Sequence, residues 1–288
     1  MKLLVTGAAG FLGRHVCRHA VAAGITVVGA YRSAPASING VEWASLDATD
    51  AAAVDRLITS SGPDAIIHTA VALAGSLTPL AAQMNWATNA IAPTHVARSA
   101  ARHGMRLVHI SSDAVHRGRK EPYRDDTAPD PIYSYGAAKA AAELGVTLVA
   151  PDAAIARVSA IMGDGTEDCE LADRERFMLD LASGHAPGVL FTDEVRCPVA
   201  VSDLADACLE LAANDVAGLL NLAGTDAMSW FEMGELVVAR YGGDPGALPA
   251  GTHTSAHVSR PGRVVLDTGL AGKLLRTRIR SLREVYSR

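Results

Sequence analysis

The sequence is poor in several residue types, and each shortage excludes a class of protein. Only four lysines occur among 288 residues and the formal net charge is −5, so no basic surface for nucleic acid is expected. Aromatic residues make up 5%, which argues against stacking platforms for single strands. The first apolar run, Leu3 to Val5, is too short for a membrane span or a secretion signal, so we expect neither.

Cysteine is also scarce, and its positions are far apart. The cysteines are Cys17, Cys169, Cys197 and Cys208. None belongs to a Cys-x-x-Cys pair, which is typical of reduced thiols, so we expect a cytoplasmic location. Two histidine pairs have i, i+4 spacing, His15 with His19 and His253 with His257, but neither has a third ligand nearby. We therefore predict no metal site.

Apolar strand patterns alternate with amphipathic helix patterns along the chain, and this alternation predicts the fold class. Strands are predicted at residues 2–6, 26–30, 41–46, 64–69, 106–111 and 153–158. Helices are predicted at residues 11–23, 51–59, 79–102 with a bend near Pro93, 134–149, 171–183, 202–213, 230–241 and 282–287. Strands separated by helices imply right-handed βαβ units. The expected fold is α/β, a Rossmann-type doubly wound parallel sheet with a smaller C-terminal lobe.

A glycine-rich turn follows the first predicted strand. Gly7 allows a tight turn, Gly10 lets the backbone approach a pyrophosphate, and Gly13 lets the next helix pack close to the sheet. Unpaired N–H groups and the partial positive charge of the helix N-terminus favour a phosphate there. The turn therefore predicts a dinucleotide site. Its residues from this segment are Gly7, Ala9, Gly10, Phe11 and Leu12.

The end of the second predicted strand bears on the choice of dinucleotide. Sites for NAD usually place an acid there for the ribose 2′-hydroxyl, whereas sites for NADP place an arginine for the 2′-phosphate. Arg32 stands at this point, and the first acid after it is Glu42. We expect NADP(H) to be preferred, with NAD(H) as the alternative.

The glycine turn and the strand pattern together suggest how the chain is divided. We assign residues 1–160 to an NADP-binding Rossmann domain and residues 161–288 mainly to a substrate-binding lobe. Elements at about residues 198–223 are expected to return to the core of the first domain. A polar, proline-rich loop at residues 116–131 interrupts the alternation, and long loops after strand ends usually belong to the site.

Three residues form a candidate catalytic set. Tyr135 and Lys139 are four residues apart on one predicted helix face, and Ser112 lies at the carboxyl end of a strand, where ligands bind in such sheets. Lowering a phenol pKa from about 10 to about 7 requires roughly 4 kcal/mol. A cation at about 4–5 Å supplies roughly 3–4 kcal/mol at an effective dielectric constant near 20. We therefore expect Lys139 to lower the pKa of Tyr135, and Ser112 to bond a carbonyl oxygen.

These motifs resemble the extended branch of the short-chain dehydrogenase/reductase superfamily, and within it the dTDP-4-dehydrorhamnose reductase family. Residues 111–118, Ser-Ser-Asp-Ala-Val-His-Arg-Gly, look like that family's Ser-Thr-Asp-Tyr-Val-Phe-Asp-Gly. Residues 89–93 look like its Asn-Ala-x-Ala-Pro helix. Residues 196–205, 223–230 and 260–267 resemble its second-lobe and tail segments. The resemblance implies a reductase that uses NADPH on a nucleotide-linked 4-keto-6-deoxysugar.

The resemblance also implies roles for further residues. Cofactor contacts are expected from Asp47, Ala48, Thr69, Ala70, Val71 and Asn89, together with Tyr135, Lys139 and Arg157. Asn89 is expected to brace the active-site helix, and Arg157 to pass near the nicotinamide. Substrate contacts are expected from Ser112 and Asp113, and from Arg196, which either meets a phosphate or is solvated. A homodimer is a family-level expectation.

Departures from the family pattern keep other functions open. His116 and Arg117 replace an aromatic residue and an acid, which puts the sugar substrate in doubt but not the hydride chemistry. A dehydratase is disfavoured because Ala114 follows Asp113 where those relatives carry a glutamate. The alternatives are a sugar-nucleotide epimerase, a reductase of another ketone, and a non-catalytic NADP-binding regulatory subunit. The last is disfavoured by the complete Ser–Tyr–Lys set.

Overall fold

Seven parallel strands form the centre of the molecule. The computed structural model describes residues 1–72, 83, 85–166, 169–252 and 260–287. The central strands are β1 (Lys2–Thr6), β2 (Thr26–Tyr31), β3 (Val41–Ser45), β4 (Ala65–His68), β5 (Arg106–Ser112), β6 (Ala154–Val158) and β7 (Gly218–Leu222). Their spatial order is β7-β6-β5-β4-β1-β2-β3. The order reverses between β1 and β4, and this switch point is where doubly wound sheets bind ligands.

Helices cover both faces of this sheet. They are α1 (Phe11–Ala22), α2 (Ala51–Ser61), α3 (Ala92–Arg102), α4 (Ser134–Val149), α5 (Asp173–Ala182), α6 (Val201–Ala212), α7 (Trp230–Arg240), α8 (Ala271–Leu274) and α9 (Leu282–Tyr286). One core cluster joins the sheet to α1, α6 and α8. A second cluster on the opposite face joins it to α2, α3 and α4. The predicted α/β doubly wound class is therefore confirmed.

A smaller apolar cluster lies beyond the carboxyl ends of the strands. It is built from α5, α7 and α9, with Met178, Met233 and Leu282 fully or almost fully buried. Three pairs of short strands link segments of this region to one another. They pair Ile161–Met162 with Val199–Ala200, Val195–Arg196 with Met228–Ser229, and Leu190–Phe191 with Ala250–Gly251. The strand β7 was not predicted as a strand, although it extends the central sheet beside β6.

Two details differ from the sequence prediction. The helix expected at residues 79–102 includes residues 79–82 and 84, which lie outside the described part of the chain. Its described remainder is helical at residues 85–86, continues as a π-helix, Ala87–Ile91, and passes without a break into α3, whose second residue is Pro93. The change from π-helix to α-helix next to Pro93 is the irregularity found at this proline, which lacks the N–H group of a regular helical turn. In the described ranges, no helix is both long and apolar enough to cross a membrane.

Candidate active site

The glycine turn joins β1 to α1 at the switch point of the sheet. Gly7 has a φ angle of +71°, and a Cβ atom on it would lie 2.6 Å from the Ala70 Cα. A Cβ atom on Gly13 would collide with the Gly7 carbonyl oxygen, so α1 packs against the turn only because this residue lacks a side chain. No side chain caps α1 at Gly10, which leaves the first N–H groups of the helix free for a ligand.

A cleft of about 260 Å³ opens above this turn. Nine of the predicted cofactor residues line it. They are Gly7, Ala9, Gly10, Arg32, Asp47, Ala48, Thr69, Ala70 and Val71. The glycine turn, the uncapped helix N-terminus and the position at the switch point together fit a bound dinucleotide. Phe11 and Leu12 follow the turn at the start of α1, and their side chains pack into the core instead of lining the cleft.

Arg32 and Asp47 share the rim of the cleft. Both side chains are exposed, and Arg32 is close enough to help lower the pKa of the Asp47 carboxyl. The larger cause of that lowered pKa is Thr49, whose hydroxyl and N–H both donate to Asp47 Oδ1, at 2.7 and 3.0 Å. Asp47 is thus held in an Asx turn, while Arg32 lines the cleft without a hydrogen-bond or ion-pair partner among the described residues.

The structure brings Ser112, Tyr135 and Lys139 together at the carboxyl end of β5. Ser112 is the last residue of β5, and Tyr135 and Lys139 lie on α4. Helix α4 approaches the end of β5 closely, because a Cβ atom on Gly136 would collide with the Ala114 carbonyl oxygen. Glycine at this point lets the start of α4 approach Ser112, whose hydroxyl is close enough to the phenol of Tyr135 to lower its pKa.

The electrostatics of Tyr135 differ from the sequence expectation. Its pKa is raised to about 12, chiefly because burial penalises the phenolate. The nearby Ser112 hydroxyl and Arg174 lower that pKa, and the Asp113 carboxylate raises it. The prediction that Lys139 lowers the pKa of Tyr135 is wrong for this structure, because Lys139 is not among the groups that shift it; its ammonium donates to the Ile110 carbonyl oxygen at 2.8 Å.

Lys139 is almost fully buried, at 3% exposure. Burial lowers the pKa of its ammonium to about 8, and Glu143, one helical turn further along α4, partly offsets this effect. An ammonium has three donors, and the Ile110 carbonyl oxygen uses one of them. Among the described residues it has no second hydrogen-bond acceptor, which leaves two N–H groups for a ligand such as a ribose.

Arg157 is not placed to contact a cofactor. Its side chain is fully buried in the centre of the sheet region, where it forms a two-pronged ion pair with Glu143 of α4 at 2.9 and 2.8 Å. Its remaining donors bind the carbonyl oxygens of Asp125 and Thr127 in the long loop. Ser111 donates to the same Glu143 carboxylate at 2.6 Å. Arg157 thus fastens the loop and α4 to β6, which corrects the expected nicotinamide contact.

Arg196 is also engaged internally, which corrects the expected phosphate contact. Its guanidinium donates to Glu194 at 3.0 Å and to the carbonyl oxygens of Val195, Gly262 and Pro261. Its Nε lies 3.6 Å from the carboxylate of Asp113. Asp113 in turn accepts from Ser159 at 2.7 Å and from the Ser112 hydroxyl at 3.3 Å. Arg196 and Asp113 form a buried polar network next to Ser112, and each side chain is exposed by no more than 10%.

Asn89 holds a segment that the sequence analysis did not name. Its amide accepts from the N–H group of Ala72 at 2.9 Å and donates to the carbonyl oxygen of the same residue at 2.8 Å. Asn89 therefore holds the chain that follows β4, and Thr69 to Val71 in that chain line the cleft. Its contribution to a cofactor site is to position this backbone, and the π-helix that carries Asn89 also packs against α4, as expected for a residue that braces that helix.

The similarity of the chain to known proteins identifies its family. The family model described as RmlD substrate binding domain matches residues 1–287. The chain belongs to this family. The chain is 32% identical over 252 residues to the dTDP-4-dehydrorhamnose reductase of Mycobacterium tuberculosis, covering 85% of this chain and 77% of that one. The family predicted from the motifs is therefore confirmed.

Two further proteins are similar to this chain. Methionine adenosyltransferase 2 subunit beta of Xenopus tropicalis is 30% identical over 239 residues, covering 81% of this chain and 70% of the relative. The crystal structure of a hypothetical dTDP-4-dehydrorhamnose reductase from Sulfolobus tokodaii superposes with a TM-score of 0.83 at 26% identity. That superposition covers 98% of this chain and 97% of the other.

His116 stands where the family pattern has an aromatic residue, and the structure explains why a histidine fits there. The imidazole is fully buried and stacks on the ring of Tyr123 at 3.9 Å between centroids, so it packs as an aromatic residue would. Tyr123 is itself tied to the tail by its backbone, which donates to the Val265 carbonyl oxygen at 2.7 Å. The loop at residues 116–131 thus keeps an aromatic contact at this position despite the substitution.

Sequence reasoning missed a second buried pair under the site. His68 of β4 and His109 of β5 stack with ring centroids 5.4 Å apart, and His68 Nδ1 lies 2.5 Å from the Thr6 hydroxyl. Burial lowers the pKa of both rings, and the Lys139 ammonium lowers it further, so both are neutral at pH 7. A histidine inside each of two apolar strands was the available signal.

The structure contains no cluster of three or more histidine, cysteine or acidic side chains arranged for a metal, as far as the described residues show. His15 and His19 lie on α1, with ring centroids 6.3 Å apart. His19 pairs with Asp206 at 2.7 Å, and His15 lies 3.9 Å from the sulfur of Cys169. The second predicted pair, His253 and His257, lies outside the described residues.

Proposed function

We propose that this protein is an NADPH-dependent reductase that acts on a nucleotide-linked 4-keto-6-deoxysugar. The observation that carries the proposal is the meeting of Ser112, Tyr135 and Lys139 at the end of β5, beside a cleft built by the glycine turn. The relative from Mycobacterium tuberculosis, named dTDP-4-dehydrorhamnose reductase, supports this substrate class. Membership of the RmlD family over residues 1–287 supports the oxidoreductase class.

The phenol of Tyr135 supplies the proton. With a pKa raised to about 12, it stays protonated at neutral pH and is a proton donor and not a base. This protonation state suits reduction, in which the carbonyl oxygen gains a proton as the carbonyl carbon gains hydride. A reduced nicotinamide, when bound, supplies that hydride. Ser112, whose hydroxyl lies near the phenol, donates a hydrogen bond to the carbonyl oxygen and polarises it.

Lys139 acts through its spare donors. Its pKa of about 8 leaves the ammonium mostly charged at pH 7, and it is fixed by the Ile110 carbonyl oxygen. From there its remaining N–H groups are available to a ribose, so its role in the proposal is to hold the cofactor and not to shift the pKa of Tyr135. The buried Glu143–Arg157 pair holds the following turn of α4 against β6 and so fixes the position of Lys139.

NADP(H) is the cofactor that we propose over NAD(H). Arg32 lines the cleft at the end of β2, and its exposed guanidinium suits a 2′-phosphate. Asp47 also lines the cleft, but its Oδ1 is occupied by Thr49 and its carboxylate lies beside the Arg32 charge. We further propose that residues 1–160 bind the dinucleotide and that 161–288 mainly form the substrate lobe. A cytoplasmic homodimer stays a prediction of the sequence.

The experiment is the oxidation of NADPH with a panel of dTDP- and other nucleotide-linked 4-ketosugars, with simple ketones as controls. Stoichiometric NADPH consumption is expected from a reductase, whereas an epimerase recycles its cofactor. Tyr135→Phe should reduce turnover by about 10²–10⁴-fold and leave NADPH affinity unchanged. The matched control is Tyr133→Phe, whose ring lies 6.2 Å from that of Tyr135. Full activity of Tyr135→Phe would remove the phenol from the mechanism.

A non-catalytic subunit is the second candidate, and one observation favours it. The chain is 30% identical to methionine adenosyltransferase 2 subunit beta from Xenopus tropicalis. The complete Ser112, Tyr135 and Lys139 set argues for chemistry instead. Stable co-purification with a partner enzyme, combined with no turnover of any ketone in the panel, would favour the subunit.

A further inference from the structure

Arg174 presents a positive charge next to the proposed active site. It is the second residue of α5, its side chain is exposed, and its guanidinium lies 5.2 Å above the ring of Trp230. Within the described ranges, no carboxylate pairs with it. Arg176, two residues further along α5, differs in this respect because Asp173 binds it at 2.6 Å.

The indole beneath Arg174 is held firmly. Trp230 begins α7, and its Nε1–H donates to the Glu194 carboxylate at 3.0 Å. Its backbone N–H donates to the Glu194 carbonyl oxygen at 3.2 Å. Glu194 is buried, at 2% exposure, and it also binds Arg196 at 3.0 Å. A fixed aromatic face restricts the directions that the arginine above it can take, so the guanidinium is partly preorganised.

A continuous set of polar contacts connects Trp230 and Glu194 to Ser112. Arg196, which binds Glu194, lies 3.6 Å from Asp113, and Asp113 accepts from the Ser112 hydroxyl at 3.3 Å. The charge of Arg174 also reaches Tyr135, whose pKa it lowers. Arg174 therefore lies above Trp230 at the start of α5, close enough to Tyr135 for its charge to act on the phenol.

We propose that Arg174 binds a phosphate group of the nucleotide-linked substrate, an inference that rests on the proposed function. A guanidinium presents a planar fork of donors that matches a phosphate, and a phosphate would place a negative charge beside Arg174. The arginine expected for this role, Arg196, has its donors engaged by Glu194 and backbone oxygens. Arg260 is less available, because Glu194 lies 3.5 Å from it.

The test measures binding of dTDP and of thymidine to the enzyme saturated with NADPH, by calorimetry. Arg174→Ala should raise the Kd for dTDP by about 10- to 100-fold, the effect of losing one charge-assisted hydrogen bond. Thymidine and NADPH should bind as in the wild type. Arg176→Ala removes the same charge from the same helix and should leave the Kd for dTDP within about twofold, because its guanidinium is paired with Asp173.

Kinetics with a nucleotide-linked 4-ketosugar distinguish this inference from the proposed function. If the wild type oxidises NADPH and Arg174→Ala raises KM with little change in kcat, the phosphate contact is supported. If Arg174→Ala leaves both KM and the Kd for dTDP unchanged, or shifts only the pH profile of kcat, the phosphate contact is refuted while the reductase stands. If the wild type neither binds dTDP nor oxidises NADPH with any 4-ketosugar, both proposals fail.

Discussion

Replacing Lys139 by methionine tests whether the buried ammonium is present for catalysis at the expense of stability. Methionine has a similar length and no charge. The pKa of Lys139 falls from its ordinary 10.5 to about 8 because burial penalises the charged form. A difference of this size corresponds to about 3 kcal/mol by which folding disfavours the ammonium at neutral pH. An uncharged methionine side chain at this position would not bear that cost.

The substitution also removes a favourable contact. The Ile110 carbonyl oxygen would lose the hydrogen bond that Lys139 donates at 2.8 Å, and an unpaired buried acceptor costs about 1–3 kcal/mol. The two effects oppose each other. We therefore expect Lys139→Met at pH 7 to be as stable as the wild type or more stable by up to about 2 kcal/mol. Its turnover should be reduced by about 100-fold or more.

The pH dependence gives the sharper measurement. Between pH 8 and 10.5 the unfolded lysine binds more protons than the folded one, so the stability of the wild type rises with pH relative to that of the variant. The free energy of unfolding of each protein is measured by urea denaturation at pH 7 and at pH 10. From the lower to the higher pH, the difference between wild type and variant should change by about 2–3 kcal/mol in favour of the wild type.

Two results would contradict this reasoning about Lys139. One is a stability difference that does not change with pH. The other is a variant that is less stable than the wild type by more than about 2 kcal/mol at pH 7, since the burial cost could then not exceed the hydrogen bond. Lys120→Met is the matched control: Lys120 is exposed, so its replacement should change stability by less than about 0.5 kcal/mol at either pH.

Three further outcomes can be measured. Arg32→Ala should weaken NADPH binding by about tenfold or more and leave NADH binding nearly unchanged; equal affinities for both in wild type and variant would reject the cofactor proposal. Glu143→Gln should destabilise the protein by about 3–5 kcal/mol in urea denaturation, because it leaves the Arg157 charge buried without its partner, whereas Glu121→Gln on the surface should not. Gly136→Ala should cost about 1–3 kcal/mol and reduce turnover, since the added methyl group forces the start of α4 away from the chain after Ser112; wild-type activity would contradict this geometry.

The parts of the molecule that depend on local pattern could be predicted from the sequence. The bounds of α4 agree with the prediction, and so does β1, because hydrophobic periodicity and flanking glycines act over a few residues. The glycine turn could be placed for the same reason. Strand β7 escaped prediction because its short Gly-Leu-Leu-Asn-Leu segment lacks a strand pattern and is fixed by pairing with β6, more than 60 residues earlier.

The chemistry of individual side chains was harder to predict, because it depends on partners that are distant in sequence. The sequence could identify Arg157 and Arg196 as charged residues near the site. It could not show that the guanidinium groups already bind the carboxylates of Glu143 and Glu194. The pKa of Tyr135 depends on how deeply the phenol is buried, which no spacing rule reports. An arginine inside an apolar strand such as β6 does signal a buried acid, and this signal would have identified the Arg157 pair.

The Arg157–Glu143 ion pair constrains how this sequence can diverge. Loss of either charge alone strands the other inside the protein, whereas replacing both by apolar groups of similar volume can be nearly neutral. A lineage that abandons the pair must therefore cross an unstable single-mutant intermediate or acquire both substitutions together. The same reasoning gives a screening rule for engineers: libraries that vary position 157 should vary position 143 in the same clone.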